Sequence, residues 1–352
     1  MPAKTTTIPI RNRRQAHEQE NDLYDRLARK VIGQPAAIDA IVAYVQIYQA
    51  GLAPEGRPAG VFLLLGPTGT GKTRTVEALA EVLHGSPKSI LKVDCGEFQL
   101  EHEVARLIGA PPGYLGHRET QPLLTQMKLN AVASEHSNLS IVLFDEIEKA
   151  APSMQRLLLG VLDKGTLRLG DNTGVNFERS LIFMTSNLGA RGMLRELAPA
   201  FGFESGALRE TASRGRKLSG IGLDAVRRKF SPEFVNRIDA VVTYQPLGGE
   251  ELAAILDQQI EELKRHILSR LGQRSFELRV EGECRRELLR LGTSLECGAR
   301  ELKRTIHRRL LQPLAVMLSR GDIEPGARVT VSYDAARGDL HFSTGNAAKA
   351  AA

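Results

Sequence analysis

The sequence predicts a three-layer α/β domain with a parallel five-stranded sheet, followed by a smaller, mostly helical domain. Five short apolar runs without polar alternation occupy the first part of the chain, which is typical of strands buried on both faces. Helical stretches such as Thr73 to Leu83 and Ser153 to Leu162 lie between them and provide the crossovers that parallel strands need. The length of 352 residues corresponds to about two domains.

The individual elements follow in chain order. The predicted strands are Val61 to Leu65, Ile90 to Val93, Ile141 to Phe144, Leu181 to Met184 and Ala240 to Tyr244. The stretch from Ala190 to Ser219 is rich in Gly, Arg and Ser and is predicted to be a long mobile loop with some helix. After Pro246-Leu247-Gly248-Gly249 the pattern changes to amphipathic helices at Glu250 to Leu271, Arg285 to Leu291 and Ala299 to Ser319, and then to two short strands around Asp334 to Gly338. We therefore expect a flexible basic arm (1–22), a large domain (23–247), a small domain (248–342) and a disordered tail (343–352).

Charge and cysteine content restrict the function classes. The net charge is +6, and Arg285 to Arg309 alone holds eight Lys or Arg against three acids, which raises nucleic acid as an alternative partner. No recognition motif or aromatic stacking platform accompanies these arginines, so the sequence favours a protein partner over nucleic acid. The three cysteines are far apart, and no apolar run approaches the length of a membrane helix. These features favour a cytoplasmic protein that does not enter the membrane.

A glycine-rich loop lies between the first predicted strand and an Ala/Leu-rich helix. It matches the pattern G-x-x-x-x-G-K-[ST] with Gly66, Pro67, Thr68, Gly69, Thr70, Gly71, Lys72 and Thr73. Glycines let backbone N–H groups wrap phosphates, and the helix N-terminus adds a positive dipole. We predict that Lys72 binds the β- and γ-phosphates of ATP and that the Thr73 hydroxyl binds Mg²⁺.

Two carboxylates end the third predicted strand. We predict that Asp145 orders the Mg²⁺ shell and that Glu146 polarises the attacking water, because binding without hydrolysis would need only the metal-ordering Asp. Asn187 follows the next strand. Because ligands collect at the carboxyl ends of strands in open α/β sheets, Asn187 is predicted to reach the γ-phosphate.

Several further segments resemble one family in the same order along the chain. They are VIGQ from Val31, GYLG from Gly113, LFDEIEKA from Leu143, MTSNLGA from Met184, FSPEFVNRID from Phe230 and GARELKR from Gly298. Together with the phosphate loop, these motifs resemble the Clp branch of the AAA+ ATPases, which are ring-forming protein unfoldases and disaggregases. The chain is similar to a single AAA+ module of the ClpA, ClpB or ClpC type, in particular to the C-terminal module of the two-ring members.

The resemblance implies roles for several further residues and gives Asn187 a family role. Val31 and Ile32 would contact the adenine, Asn187 would be sensor 1 and Arg300 the nucleotide-sensing arginine of sensor 2. Arg237 would be the arginine finger, which acts on the ATP of a neighbouring subunit in a hexamer. Tyr114 and Leu115 would form a pore loop that grips polypeptide, and Gly170 to Gly174 would lie at the position of a second pore loop that lacks an aromatic residue.

The resemblance also suggests partners. Two hydrophobic-Gly-hydrophobic tripeptides, Phe201-Gly202-Phe203 and Ile221-Gly222-Leu223, are candidates for docking on a ClpP-like peptidase, and the N-terminal arm is a candidate site for an adaptor. The implied function is that of an ATP-dependent unfoldase or remodelling chaperone, which hydrolyses ATP at the subunit interfaces of a ring and threads protein substrates through its pore. Two alternatives stay open: a nucleic-acid-associated AAA+ ATPase, and a protease-independent remodeller of one specific protein complex.

Overall fold

The computed structural model describes residues 22–109, 122–197, 210–294 and 297–345. It divides into two compact units, which are described separately. Unit 1 comprises Met1–Gly66 and Gly71–Gln245, and unit 2 comprises Pro67–Thr70 and Pro246–Ala352. Pro67–Thr70 belongs to unit 2 by its contacts, one of which is the hydrogen bond from the Ala299 N–H to the Gly69 carbonyl at 3.1 Å.

Unit 1 is built on a five-stranded sheet in the order β2-β3-β6-β1-β7, in which all neighbouring strands are parallel. A short antiparallel hairpin, β4-β5, lies outside it. The strands are β1 (Gly60–Leu65), β2 (Leu91–Asp94), β3 (Ser140–Asp145), β4 (Thr166–Arg168), β5 (Gly174–Asn176), β6 (Ser180–Ser186) and β7 (Ala240–Thr243). The parallel sheet and its five strands are therefore confirmed, and the hairpin is an addition that the sequence did not predict.

Helices connect these strands. They are α1 (residues 22–28), α2 (Pro35–Gln49), α3 (Lys72–His84), α4 (Ala105–Ile108), α5 (Gln126–Ala131), α6 (Pro152–Lys164), α7 (Ala190–Leu197), α8 (Glu210–Lys229) and α9 (Pro232–Val235). Proline at the first position begins α2, α6 and α9, where a missing N–H leaves no hydrogen bond unmade. The stretch from Ala190 to Ser219 is predicted to be a long mobile loop with some helix, and the structure places helix at α7 and at the start of α8; residues 198–209 are outside the described ranges.

The sheet separates two hydrophobic clusters. Val61, Leu63 and Leu65 pack on one face, whereas Phe62 and Leu64 pack on the other. Every residue of β1 and β6 is buried. Burial on both faces explains why the strand sequences show no polar alternation.

Replacement of a core aromatic residue tests how much this packing contributes to the free energy of unfolding. Phe183 of β6 is fully buried, and its ring stacks on that of Phe62 with a centroid distance of 4.9 Å. We expect Phe183→Ala to lower the free energy of unfolding of unit 1 by about 3–5 kcal/mol, because the substitution leaves a cavity. Native-state hydrogen exchange of the β6 amides measures this loss. Leu52→Ala, at a side chain that is 75% exposed, is the control, and a loss below about 1 kcal/mol for Phe183→Ala would contradict the packing described.

Unit 2 packs four helices with a three-stranded sheet in the order β10-β9-β8. Its elements are α10 (Gly249–Leu271), β8 (Glu277–Val280), α11 (Gly282–Gly292), α12 (Ala299–Ile306), α13 (Gln312–Arg320), β9 (Arg328–Asp334) and β10 (Asp339–Gly345), with a π-helical segment His307–Leu311 between α12 and α13. The predicted strand pair is present as β9 and β10. Strand β8, in which two exposed charged residues alternate with two buried ones, was not predicted from the sequence.

The basic stretch of unit 2 is largely neutralised by its own carboxylates. Five of its arginines form ion pairs, Arg285 with Asp257, Arg286 with Glu283, Arg290 with Glu287, Arg304 with Glu301 and Arg309 with Asp339. The local excess of positive charge is therefore smaller than the sequence indicates.

Within the described ranges, no helix is long and apolar enough to span a membrane.

Candidate nucleotide site

Three neighbouring strands bring the predicted site residues of unit 1 to one edge of the sheet. In the order β3-β6-β1, the strands end at Asp145, Ser186 and Leu65. Leu65 and Ser186 are paired in register, so the phosphate loop after β1 begins beside the residue that precedes Asn187. Because the strands are parallel, the carboxyl ends form the crevice in which ligands bind in such sheets.

The phosphate loop has the backbone that its glycines predict. Gly66 has φ +148°, and a Cβ there would lie 2.9 Å from the Tyr244 carbonyl oxygen. Gly71, with φ +102°, directly precedes α3. Anions bind at the N-terminus of a helix, where the positive end of the helix dipole lies, and this end of the 13-residue helix α3 directly follows the loop.

Lys72 joins the phosphate loop to the end of β6. Its ammonium donates hydrogen bonds to the Gly66 carbonyl at 2.7 Å and to Asn187 Oδ1 at 2.9 Å. The side chain is buried, with only 8% of the residue exposed. The predicted phosphate lysine and the predicted sensor asparagine are thus in direct contact.

Asp145 is held ionised at the end of β3. The Thr185 hydroxyl donates to Oδ1 at 2.5 Å, and the Lys92 ammonium lies 2.7 Å from Oδ2. Burial acts to raise the pKa of Asp145, but the hydrogen bonds from Lys92 and Thr185 and the charges of Lys92 and Lys72 outweigh it, so the pKa lies below its ordinary value. A charged carboxylate is therefore available to a hard cation at neutral pH.

Glu146 has an uncommon backbone conformation. Its φ of 57° and ψ of 50° place it in the left-handed region, which costs free energy for a residue with a Cβ. The Thr185 hydroxyl accepts a hydrogen bond from the Glu146 N–H at 3.0 Å. The carboxylate lies 2.5 Å from the Lys149 ammonium and 3.5 Å from Asn187 Nδ2, so it shares Asn187 with Lys72.

Four further residues contact this site and were not selected from the sequence. They are Lys92, Thr185, Glu148 and Lys149, of which Glu148 accepts a hydrogen bond from the Asn187 N–H at 3.0 Å. Lys92 could have been noticed from the sequence, because it is a charged residue inside the apolar run that forms β2. For Thr185 and the other two, the sequence motifs contained the residues but gave no indication of their contacts.

The predicted adenine segment is fixed at the end of β7. Val31 is buried and Ile32 is half-buried. Gln34 donates to the Gln245 carbonyl at 2.8 Å and accepts from the Gln245 N–H at 3.1 Å. These two hydrogen bonds join the segment to the strand next to β1.

Arg237 does not belong to this cluster, because it lies at the opposite edge of the sheet. Two residues later, the Asp239 N–H donates to the Val61 carbonyl at 2.9 Å, near the start of β1. About 13 Å of strand separates Val61 from Leu65, where the phosphate loop begins. The Arg237 guanidinium instead pairs with Asp163 at 3.0 Å.

The remaining predicted site residues belong to other segments of the chain. Arg300 is the second residue of α12 in unit 2, with an exposed side chain. Tyr114, Leu115 and Phe201-Gly202-Phe203 are outside the described residues. Gly170 to Gly174 connects β4 to β5.

The second peptidase-docking candidate, Ile221-Gly222-Leu223, is part of helix α8. A Cβ on Gly222 would lie 2.8 Å from Met193 Cε and 3.3 Å from Leu65 Cδ1. The prediction of a docking loop at this tripeptide is therefore wrong, because its central residue is packed against neighbouring elements.

The residues present fit a magnesium nucleotide. Backbone N–H groups at the start of α3 and the Lys72 ammonium suit phosphate oxygens, whereas the Thr73 hydroxyl and the Asp145 carboxylate are the hard oxygen donors that Mg²⁺ prefers. Among the described residues, no group of three or more His, Cys, Asp or Glu side chains is placed to hold a metal. Mg²⁺ bound through one carboxylate and phosphates needs no such group.

The sheet order and the site together define a P-loop nucleoside triphosphatase of the AAA type. The phosphate loop follows β1, the paired acids end β3, and β6 with its asparagine lies between the two strands. Comparison with known proteins agrees. A family model described as an AAA domain of the Cdc48 subfamily matches residues 57–241, and a model of the C-terminal D2-small domain of ClpB matches residues 247–331.

Similar proteins of known family identify the family to which the chain belongs. The chain is 37% identical over 329 residues to a ClpB chaperone of Aquifex aeolicus and 37% identical over 333 residues to one of Pseudomonas putida. These alignments cover 93% and 94% of the chain but only 31% and 36% of the relatives, so the chain spans about a third of their length. The chain belongs to the Clp family of AAA+ ATPases.

Solved structures of Hsp104 have the same fold. A closed-state structure of Hsp104 with ATPγS and FITC casein matches with a TM-score of 0.76 and 27% identity, covering 96% of this chain and 53% of the other. The extended conformation of the Saccharomyces cerevisiae Hsp104–casein complex matches with a TM-score of 0.78 and 27% identity, covering 93% and 52%.

Proposed function

We propose that this chain hydrolyses ATP and uses the energy to unfold or remodel protein substrates. The main support for hydrolysis is a pair of hydrogen bonds made by the Asn187 side chain, which accepts from Lys72 and donates to Glu146. Through Asn187, the Glu146 carboxylate is held close to the lysine that is proposed to bind phosphate. Similarity to ClpB and Hsp104 supports the protein substrate.

In this proposal the side chains at the carboxyl edge share the steps of ATP binding and hydrolysis. Lys72 and the N-terminus of α3 bind and orient the phosphates, and Asn187 aligns the γ-phosphate with the water. Glu146 accepts a proton from that water, and Lys149 and Asn187 hold its carboxylate in place. Mg²⁺, bound by Thr73 and Asp145, would neutralise charge on the phosphate oxygens.

Catalysis in this proposal requires a neighbouring subunit. Because Arg237 lies at the amino edge of its own sheet, it does not reach its own phosphate loop. In the proposal, the arginine that stabilises charge on the transferred phosphoryl group is Arg237 of another copy of the chain. We propose a hexameric ring with ATP at the subunit interfaces and Arg300 of unit 2 as a further nucleotide-sensing residue.

The substrate in this proposal is an extended polypeptide held in the central pore of the ring by Tyr114 and Leu115. The casein in the two Hsp104 structures supports a protein substrate. Unfolding of a stable fluorescent protein that carries an unstructured tail tests the function, and it is expected to require ATP. If fluorescence persists while ATP is hydrolysed, remodelling of one specific complex becomes the better description.

Tyr114→Ala should separate hydrolysis from unfolding. We expect the variant to keep ATP turnover within about twofold of the unmodified chain, because the proposal assigns Tyr114 to the polypeptide and not to the nucleotide. It should lose most of the fluorescence decrease, because aromatic side chains carry a large share of contact energy. Tyr114→Phe is the matched control and should retain unfolding. Unchanged unfolding by Tyr114→Ala would refute the assignment of the pore loop.

The other partners considered from the sequence have less support. The ion pairs of the basic stretch weaken the case for nucleic acid, because paired arginines release fewer counterions on binding phosphates. A peptidase and an adaptor have no support from the comparisons or from the described contacts, and we do not propose them.

A further inference from the structure

We propose that Asp163 is a positioning residue for Arg237, which holds the guanidinium in the orientation that serves the neighbouring subunit. The inference rests on the proposed function, because it takes Arg237 as the arginine that acts between subunits. It adds a residue of the opposite charge, from a different helix, to that machinery.

The pair is a direct contact between two separate elements. Arg237 Nη1 lies 3.0 Å from Asp163 Oδ1, and each side chain is 38% exposed. Asp163 is the next-to-last residue of α6, whereas Arg237 follows α9. The side chains are therefore open enough to meet another protein, yet they are joined to each other.

The backbone on both sides of the pair is anchored. Helix α6 is fixed by its buried residues Met154, Leu158, Val161 and Leu162. On the other side, the Arg237 N–H donates to the Phe234 carbonyl at 3.2 Å, and Asp239 is bound to β1 and to Arg57. The remaining freedom lies in the arginine side chain itself.

Asp163 removes that freedom. Among the residues that the structure describes, Arg237 Nε is buried and has no hydrogen-bond partner, so it does not fix the plane of the guanidinium. The carboxylate on Nη1 does so. An arginine contributes to phosphoryl transfer only when its planar group faces the transferred oxygens, and misplacement by about 1 Å reduces the rate by roughly a hundredfold.

If Asp163 only stabilised the fold, its loss would lower the melting temperature. Solvent screens a half-exposed ion pair, so its contribution to folding is small. Loss of Asp163 should therefore leave the melting temperature nearly unchanged. The main effect should appear in kcat.

The first experiment compares steady-state ATP hydrolysis by Asp163→Ala, Asp163→Asn and the unmodified chain. We expect Asp163→Ala to lower kcat by roughly tenfold to a hundredfold, with KM for ATP within about twofold, since Arg237 acts mainly on the transition state. Asp163→Asn, which keeps the size of the side chain but removes the charge of the ion pair, should lower kcat to a similar extent. Arg156→Gln is the matched control. Arg156 lies on α6 like Asp163, and its replacement removes an ion pair with Glu101 of another segment, so this variant should keep full turnover.

The second experiment mixes subunits. In rings of Asp163→Ala and Glu146→Gln, the first subunit has an intact hydrolytic site and receives a correctly held arginine from the second. We expect turnover per Asp163→Ala subunit to rise at least fivefold over the unmixed variant. A defect within the subunit's own nucleotide site would not be rescued in this way.

The outcomes separate the inference from the function on which it rests. If Arg237→Ala itself hydrolyses ATP normally, the proposed role of Arg237 fails, and the inference fails with it. If Arg237→Ala is inactive but Asp163→Ala is fully active, only the inference is overturned. Loss of activity in Asp163→Ala without rescue by mixing also overturns it.

Discussion

Glu146→Gln is expected to bind ATP with nearly unchanged affinity and to lose turnover by about 10²–10⁴-fold. The amide is close in size to the carboxylate but does not accept the proton of the attacking water. Binding should persist because Lys72 and the start of α3 are not altered. Filter binding of labelled ATP and single-turnover hydrolysis measure the two quantities separately.

The control for this variant is Glu97→Gln, which changes another carboxylate of unit 1. The Glu97 side chain is 59% exposed and pairs with Arg106. Its turnover should equal that of the unmodified chain. Rapid hydrolysis by Glu146→Gln would show that a different group activates the water, and loss of ATP binding would show that Glu146 is needed for the shape of the loop.

Arg237→Ala is expected to reduce turnover by about 10³–10⁵-fold while the chain still binds ATP. The physical reason is charge: the guanidinium of a neighbour stabilises negative charge on the equatorial oxygens of the transferred group, and alanine leaves that charge unbalanced. Hydrolysis should also depend on protein concentration in the unmodified chain, because an isolated subunit lacks the arginine of its neighbour.

Analytical ultracentrifugation with ATP determines whether Arg237→Ala still forms rings. Assembled but inactive rings are the expected result. Arg156→Gln is the matched arginine control. Turnover by unmodified chain at concentrations where only monomer is present would contradict action between subunits, irrespective of the behaviour of the variant.

The sheet was predictable because its strands are buried on both faces. β1 and β6 contain no charged residues, and their apolar runs differ from everything around them. By contrast, β8 was missed because two of its four residues are exposed and charged, and α8 was missed in part because local glycines favour turns. Packing of Gly222 against Met193 is a tertiary contact that local preference does not contain.

The candidate site also has a part that could be predicted from the sequence and a part that could not. The phosphate loop, Asp145, Glu146 and Asn187 each follow a strand, so their meeting at one edge follows from a parallel sheet. Lys92 came to Asp145 only because β2 pairs with β3 in the observed register, with Asp94 opposite Asp145. Strand order is not contained in any single strand.

The sequence by itself predicted nucleotide binding by this protein, because the phosphate loop and the pair Asp145 and Glu146 each consist of residues that are adjacent along the chain. The tertiary structure decided which charges meet. Asp163 and Arg237 are 74 positions apart in the sequence, and their contact depends on how α6 and the segment after α9 pack at the amino edge of the sheet. Electrostatic interactions fall off with distance, so the partner of a charge is known only when the fold places it.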